Sequence, residues 1–249
     1  MVELPYRKAL DLIVRTSYCY WRARLTNLIC TGGRNLKPSY TSRLLDGLDP
    51  KQVLARYDFQ SYVYARCPEA QKTAQEELDS VLGKNQLPEF ADENSLPYCG
   101  ALVKELYRWR PVASLAIPRG TNTEDVRFIQ RAILHDERVY PEPEEYKPER
   151  FLRFLKEGKL DVELMDPTVV GAVGFGRRIC LGRFLAMKSV LISVMSILAS
   201  MDITHVVDEH GNIIESKGNV RGTVNAVLPF KCSMEPRSAE VVGVIKSSS

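Results

Sequence analysis

Cys180 stands in Gly174-Phe175-Gly176-Arg177-Arg178-Ile179-Cys180-Leu181-Gly182-Arg183, a lone thiol bracketed by glycines just ahead of a long apolar run. Each residue type has a chemical use there. Gly176 and Gly182 let the backbone adopt positive φ and come close to a flat ligand. The unpaired N–H groups and partial positive charge at a helix start favour a thiolate over a thiol. Arg177 and Arg178 offer permanent charge to carboxylates on a bound group. A thiolate held this way can ligate a haem iron and push electron density toward oxygen. A phosphate cradle fits poorly, because Gly174-x-Gly176 lacks a third glycine and no Val/Ile strand leads into it.

A second set of charges lies upstream. Glu105 and Arg108 are three residues apart and share one face of a helix. Arg150 follows in Pro148-Glu149-Arg150-Phe151. His135, His205 and His210 have no partner at ligand spacing and read as solvated or capping residues.

These groups need elements to carry them. Pro68 suits a first helical turn, Glu69 its positive end and Gly83 its C-terminal cap, with Ala70, Ala74 and Leu78 as a buried stripe. A second helix is predicted from Pro97 to Trp109, capped by Ser95 and stopped by Pro111, with Tyr98, Leu102, Leu106 and Trp109 facing inward. A third is predicted from Gly182 to Met201, about 30 Å long, and its apolar character all round predicts deep burial. Ile203–Val207 and Asn212–Ile214, flanking Glu209-His210-Gly211, predict a hairpin. The tail, 240–249, reads as disordered. Residues 51–66 show no clean period, and no internal repeat is present.

Composition narrows the class without naming a function. The chain has 249 residues, 45% hydrophobic and 26% charged, with 34 Lys and Arg against 31 Asp and Glu for a net charge of +3. Both signs are scattered, which argues against a nucleic-acid partner. Six cysteines without a Cys-x-x-Cys pair do not form a disulfide scaffold or a structural zinc site. No signal or anchor segment is legible, and the apolar stretch from Ser189 to Met201 reads as too short to span a bilayer.

The cysteine loop resembles that of the cytochrome P-450 family, whose pattern is Phe-x-x-Gly-x-Arg-x-Cys-x-Gly. Gly176, Arg178, Cys180 and Gly182 match it, while Val173 stands at the Phe position and Leu181 where proline is frequent. Glu105-Leu106-Tyr107-Arg108 is similar to the family's Glu-x-x-Arg helix, and Pro148-Glu149-Arg150-Phe151 to its Pro-Glu-Arg-Phe segment. All three occur in the expected order. The resemblance spans roughly residues 36–237 and is clearest over 97–186.

That resemblance implies one incomplete domain over 1–249, mainly α with small β elements. It implies a thiolate-ligated haem (iron protoporphyrin) with Cys180 as axial ligand and Arg178 and Arg119 at the propionates. Glu105, Arg108 and Arg150 would form a charge triad behind the haem. Val112, Ala113, Ser114 and Leu115, with Thr223 and Val224, would face the substrate. The implied activity is a monooxygenase that inserts one oxygen atom from O2 into a small hydrophobic substrate, with NADPH electrons arriving through a reductase. Relatives often sit on the endoplasmic reticulum membrane.

One family element is not found. No small-Gly-x-acid-Thr motif of the oxygen-binding distal helix occurs, and only seventeen residues separate Pro50 from Pro68. The chain therefore reads as a truncated member lacking much of the N-terminal half, with no distal catalytic acid identified. The competing expectation is a catalytically silent remnant that binds haem weakly or not at all.

Overall fold

The structure is a computed structural model and describes residues 63–64, 66–111, 113–116, 129–152, 166–205, 212–213, 219–220, 226–227 and 232–247. Their contacts form two compact units. The first is built from Cys67–Ala199 and Glu215–Phe230, and the second includes Ser200–Ile214 and Lys231–Ser249.

In the first unit, helix α1 (Pro68–Leu82) starts on the expected proline and ends at Gly83, which holds a φ of 86° and donates its N–H to the Asp79 carbonyl. Its buried stripe, Ala70, Ala74 and Leu78, follows the i, i+4, i+8 spacing. Helix α2 (Pro97–Trp109) buries Tyr98, Leu102, Leu106 and Trp109 as the sequence predicts, and Glu105 and Arg108 as well.

The start of α2 differs from expectation. Leu96, not Ser95, is the N-cap residue, and its side chain makes no capping bond. The carboxylate of Glu77 on α1 fills that role, accepting from the Tyr98 N–H at 2.8 Å and the Cys99 N–H at 2.9 Å. A negative group bonded to two otherwise unpaired donors at the positive end of a helix is well placed. This contact also fixes α1 against α2.

Beyond α2 come a short helix α3 (Gln130–Leu134), a 3₁₀ turn Pro148–Phe151 and helix α4 (Pro167–Val170). Phe151 and Tyr140 pack with Ala101 of α2. The glycine loop carries a 3₁₀ turn, Gly176–Arg178, and leads into helix α5 (Arg183–Ser200).

Helix α5 is apolar as expected but not deeply buried along its whole length. Leu191, Ile192, Val194, Met195, Ile197 and Leu198 are enclosed, whereas Phe184 is 64% and Leu185 41% exposed. Apolar composition predicts burial all round, yet the described residues cover only the C-terminal half. By length and hydropathy alone α5 could cross a bilayer. Its enclosed half marks it as a core helix.

The second unit contains strand β1 (Met201–His205), which pairs antiparallel with β4 (Cys232–Pro236), Met201 opposite Pro236 and His205 opposite Cys232. The turn of the predicted hairpin, 206–211, lies outside the described residues, and the partner that β1 takes among the described residues comes from much later in the chain. Met201 and Ile203 are buried and Asp202 and Thr204 exposed, the alternation of a one-sided strand. Strands β2 (Asn219–Val220) and β3 (Ala226–Val227) make a separate small ladder in the first unit.

The tail is also more ordered than predicted. Ala239–Ser247 forms helix α6, with the Ser238 hydroxyl accepting from the Val241 N–H at 3.1 Å and Val241 buried. A serine cap and one buried valine supply the start signal that composition obscured.

Removing the carboxylate that caps α2 tests this architecture. Glu77→Ala should lower stability by about 1–2 kcal/mol, measured by urea unfolding, while Ser95→Ala should leave it within about 0.5 kcal/mol. A larger effect at Ser95 would contradict the observed cap.

Candidate functional site

Glu105 and Arg108 are both fully buried on α2. The guanidinium of Arg108 grips the Glu105 carboxylate with two parallel bonds, Nε to Oε2 at 2.7 Å and Nη2 to Oε1 at 2.8 Å. Its other N–H groups donate to the carbonyls of Leu134 at 3.2 Å, Pro143 at 2.8 Å and Glu145 at 3.0 Å. All five guanidinium donors are thus used. Glu105 Oε1 also accepts from the Lys147 N–H at 2.8 Å and Arg150 Nε at 3.3 Å. Arg150 reaches on to the carbonyls of Pro141 and Glu142.

The chain folds to this arrangement because the segment after α3 is rich in proline. Its carbonyls are left out of helices and strands and need donors from elsewhere. Trp109 adds one more, its indole N–H donating to the Glu144 carbonyl at 2.6 Å, while its ring meets Tyr146 edge-on.

His135, expected to be solvated, is half-buried in this segment. Its Nδ1 lies 3.1 Å from the Arg131 carbonyl, and Nε2 is enclosed without a hydrogen-bond partner. Burial, with the charges of Arg108 and Arg131, pushes its pKa down to about 4. The neutral ring donating from Nδ1 is the form that fits.

The cysteine loop is built from short backbone bonds. The Cys180 N–H donates to the Val173 carbonyl at 2.9 Å, closing the loop, and the Ile179 N–H to the Gly176 carbonyl at 3.1 Å. Gly174 and Gly176 hold φ of 85° and 53°, a region that glycine enters without strain. A Cβ on Gly182 would lie 3.9 Å from the Cys180 sulfur, an ordinary contact. Cys180 itself is a free, exposed thiol. Leu181, Phe184 and Leu185 beside it are exposed, Leu181 by 94%.

Other candidate positions are only partly placed. Arg178 lies in the 3₁₀ turn, but its side chain, together with Arg119, Val112, Thr223 and Val224, falls outside the described residues. Ala113, Ser114 and Leu115 form a turn closed by the Ala116 N–H on the Ala113 carbonyl at 2.8 Å, and Leu115 is exposed. His210 and the residues before Val63 also lie outside the described residues.

The cytochrome P-450 family model matches residues 62–230. The chain belongs to the cytochrome P-450 family. Cytochrome P-450 monooxygenase 98 of Postia placenta is 44% identical over 195 residues, covering 72% of this chain and 37% of that protein. Cytochrome P-450 monooxygenase ple1 of Rhodocybe pseudopiperita is 40% identical over 193 residues, covering 72% and 36%. The chain thus spans a little over a third of the length of these relatives. A zebra fish cytochrome P-450, solved with abiraterone, superposes with a TM-score of 0.57 at 23% identity, over 74% of this chain and 43% of that one. The fold is therefore that of a cytochrome P-450: mostly helical, with small sheets.

Family membership makes haem the group to test against these residues. Among the described residues no cluster of three or more His, Cys, Asp and Glu side chains is placed to hold a metal ion. A bare ion would need such a cluster, whereas a macrocycle with its own four nitrogen donors needs only an axial ligand. An open thiol on a glycine-bent loop, beside exposed apolar side chains, fits a flat and largely apolar ring.

Two outcomes follow for the buried charges. Glu105→Ala or Arg108→Ala should each cost about 3–5 kcal/mol in urea unfolding, and Arg150→Ala about 1–2 kcal/mol, because Arg150 is at the rim of the cluster. Equal losses at all three would contradict the geometry. For His135, the folded-state pKa lies below the unfolded value. The unfolded chain takes up a proton as pH falls below the ordinary histidine range, and the folded chain does so only near pH 4. Stability should therefore fall from pH 7 to pH 4.5, and His135→Gln should flatten that part of the profile.

Proposed function

We propose that these residues form the proximal, haem-holding part of a haem-thiolate monooxygenase, with Cys180 as the axial iron ligand. The observation that carries the reading is the free, exposed thiol held by the Val173–Cys180 backbone bond at the entrance to α5. The bound haem would supply activation of O2, one atom entering the substrate and the other leaving as water with two electrons and two protons. NADPH, through a reductase-type donor, is the source of those electrons.

The residues of the chain take the remaining roles. Cys180 presents its sulfur from a loop whose backbone is fixed on both sides, so the ligand is placed before the haem arrives. Gly174 and Gly176 keep side chains away from the ring. Arg178 and Arg119 neutralise the propionates. Ala113, Ser114 and Leu115, with Val112, Thr223 and Val224, would face the substrate, and the apolar residues among them favour a small hydrophobic one. Glu105, Arg108 and Arg150 hold the proline-rich segment against α2.

The test is a spectrum of the purified chain titrated with haem, reduced and exposed to carbon monoxide. A strongly red-shifted thiolate-type band that disappears in Cys180→Ala is expected. Absence of haem uptake by the unsubstituted chain would overturn the reading in favour of a silent remnant. A band that survives Cys180→Ala would overturn the assignment of the ligand.

A further inference from the structure

One part-buried ion pair is not used by the arrangements above. Lys104, next to Glu105 on α2, pairs with Asp166, and their side chains are only 13% and 10% exposed. The other oxygen of Asp166 accepts from the Thr168 N–H at 2.9 Å and the Thr168 hydroxyl at 2.6 Å, which caps α4. Burial pushes the Asp166 carboxyl up, but the hydrogen bonds from Lys104 and Thr168 outweigh it, and its pKa lies below the ordinary value.

From Asp166 the path to the cysteine is short and runs through backbone hydrogen bonds and one close packing contact. The Val170 N–H donates to the Asp166 carbonyl at 3.0 Å and the Ala172 N–H to the Pro167 carbonyl at 2.8 Å. Gly171 lies so close to the Phe175 ring that a Cβ would meet it at 3.3 Å. Val173, next in line, offers the carbonyl that receives the Cys180 N–H. The rigid helix α2 therefore holds one end of a segment whose other end fixes the thiol.

We propose that Lys104 is a positioning residue for Cys180, acting through Asp166 and α4 to set the cysteine loop. Its use with haem rests on the reading of Cys180 as axial ligand, but the positioning itself does not. An arginine at 104 can keep the charge and reach Asp166, since Lys104 and Thr168 border a cleft of about 240 Å³. A methionine keeps the bulk and removes the charge.

Hydrogen exchange of the haem-free chain, resolved by peptide, gives the first readout. In Lys104→Met the Cys180 amide should exchange about tenfold faster, with the β1–β4 ladder unchanged, and Lys104→Arg should restore protection. Unchanged exchange at Cys180, or an equal rise throughout the chain, would overturn the proposal. Should Lys104→Met fail to fold, Asp166→Asn serves instead, because an amide oxygen can still cap Thr168 while the charge is gone. It should show the same local rise, and its absence would overturn the proposal.

The second readout is the carbon monoxide band of the haem-loaded protein. Lys104→Met should weaken its thiolate character and Lys104→Arg preserve it; an unaltered band in Lys104→Met would overturn positioning at the iron. If the unsubstituted chain takes up no haem, the function proposed above fails, while the exchange result still decides the role of Lys104.

Discussion

A carboxylate enclosed in protein is stable only when its charge is matched and its oxygens are bonded, and Glu105 meets both conditions through one helix neighbour and two groups distant in sequence. Arg108 comes from the same helix, while the Lys147 amide and Arg150 come from a segment about forty residues later. Moving two opposite charges out of water costs several kcal/mol per ion before any attraction is counted. The cluster offsets that cost by using every guanidinium donor of Arg108 on an oxygen. Two of those oxygens are loop carbonyls and a third ends α3, so the polar interior and the path of the loop are solved together.

Helix α2 acts as a hub because successive residues on a helix point about 100° apart. Glu105 faces the proline-rich segment and Lys104 faces Asp166, so one helix holds two irregular stretches with adjacent residues. Glu77 joins its first turn to α1. Neither the 135–147 stretch nor the cysteine loop has a regular ladder of backbone bonds; the first is held by charged side chains on α2, the second by short backbone bonds such as that from the Cys180 N–H to the Val173 carbonyl.

The sequence made some of this visible and hid the rest for physical reasons. The Glu105–Arg108 spacing, the Pro68 and Pro97 starts and the Gly83 stop are local signals, and local signals survive translation into structure. The carbonyl partners of Arg108 are not local: nothing in the letters at 134, 143 and 145 marks them as acceptors, since every residue carries a carbonyl. Glu77 is not legible for a similar reason, because it caps a helix through space and Ser95 is the nearer polar residue in sequence. The β1–β4 pairing was hidden behind Gly211, a turn signal that drew attention to a nearer partner. Helix α5 shows the limit of composition, which reports that a surface is apolar and not what lies against it.

The exposed apolar residues around Cys180 bear on why a thiol would be presented in this way. A thiolate surrounded by water is well solvated and gains less by binding a metal than one on an apolar surface. Leu181, Phe184 and Leu185, which follow Cys180 within five residues, expose hydrocarbon on this part of the chain, and Arg183 lies over the Phe184 ring at 4.1 Å. A flat ring with an apolar body would cover that hydrocarbon on binding, and each 100 Å² of it removed from water is worth about 2.5 kcal/mol. Coverage would also strip water from the ligand bond and strengthen the electrostatics at the metal. In the proposed reading the apolar rim and the thiol therefore belong to one site: the rim drives association, and the backbone-fixed loop decides which atom meets the iron.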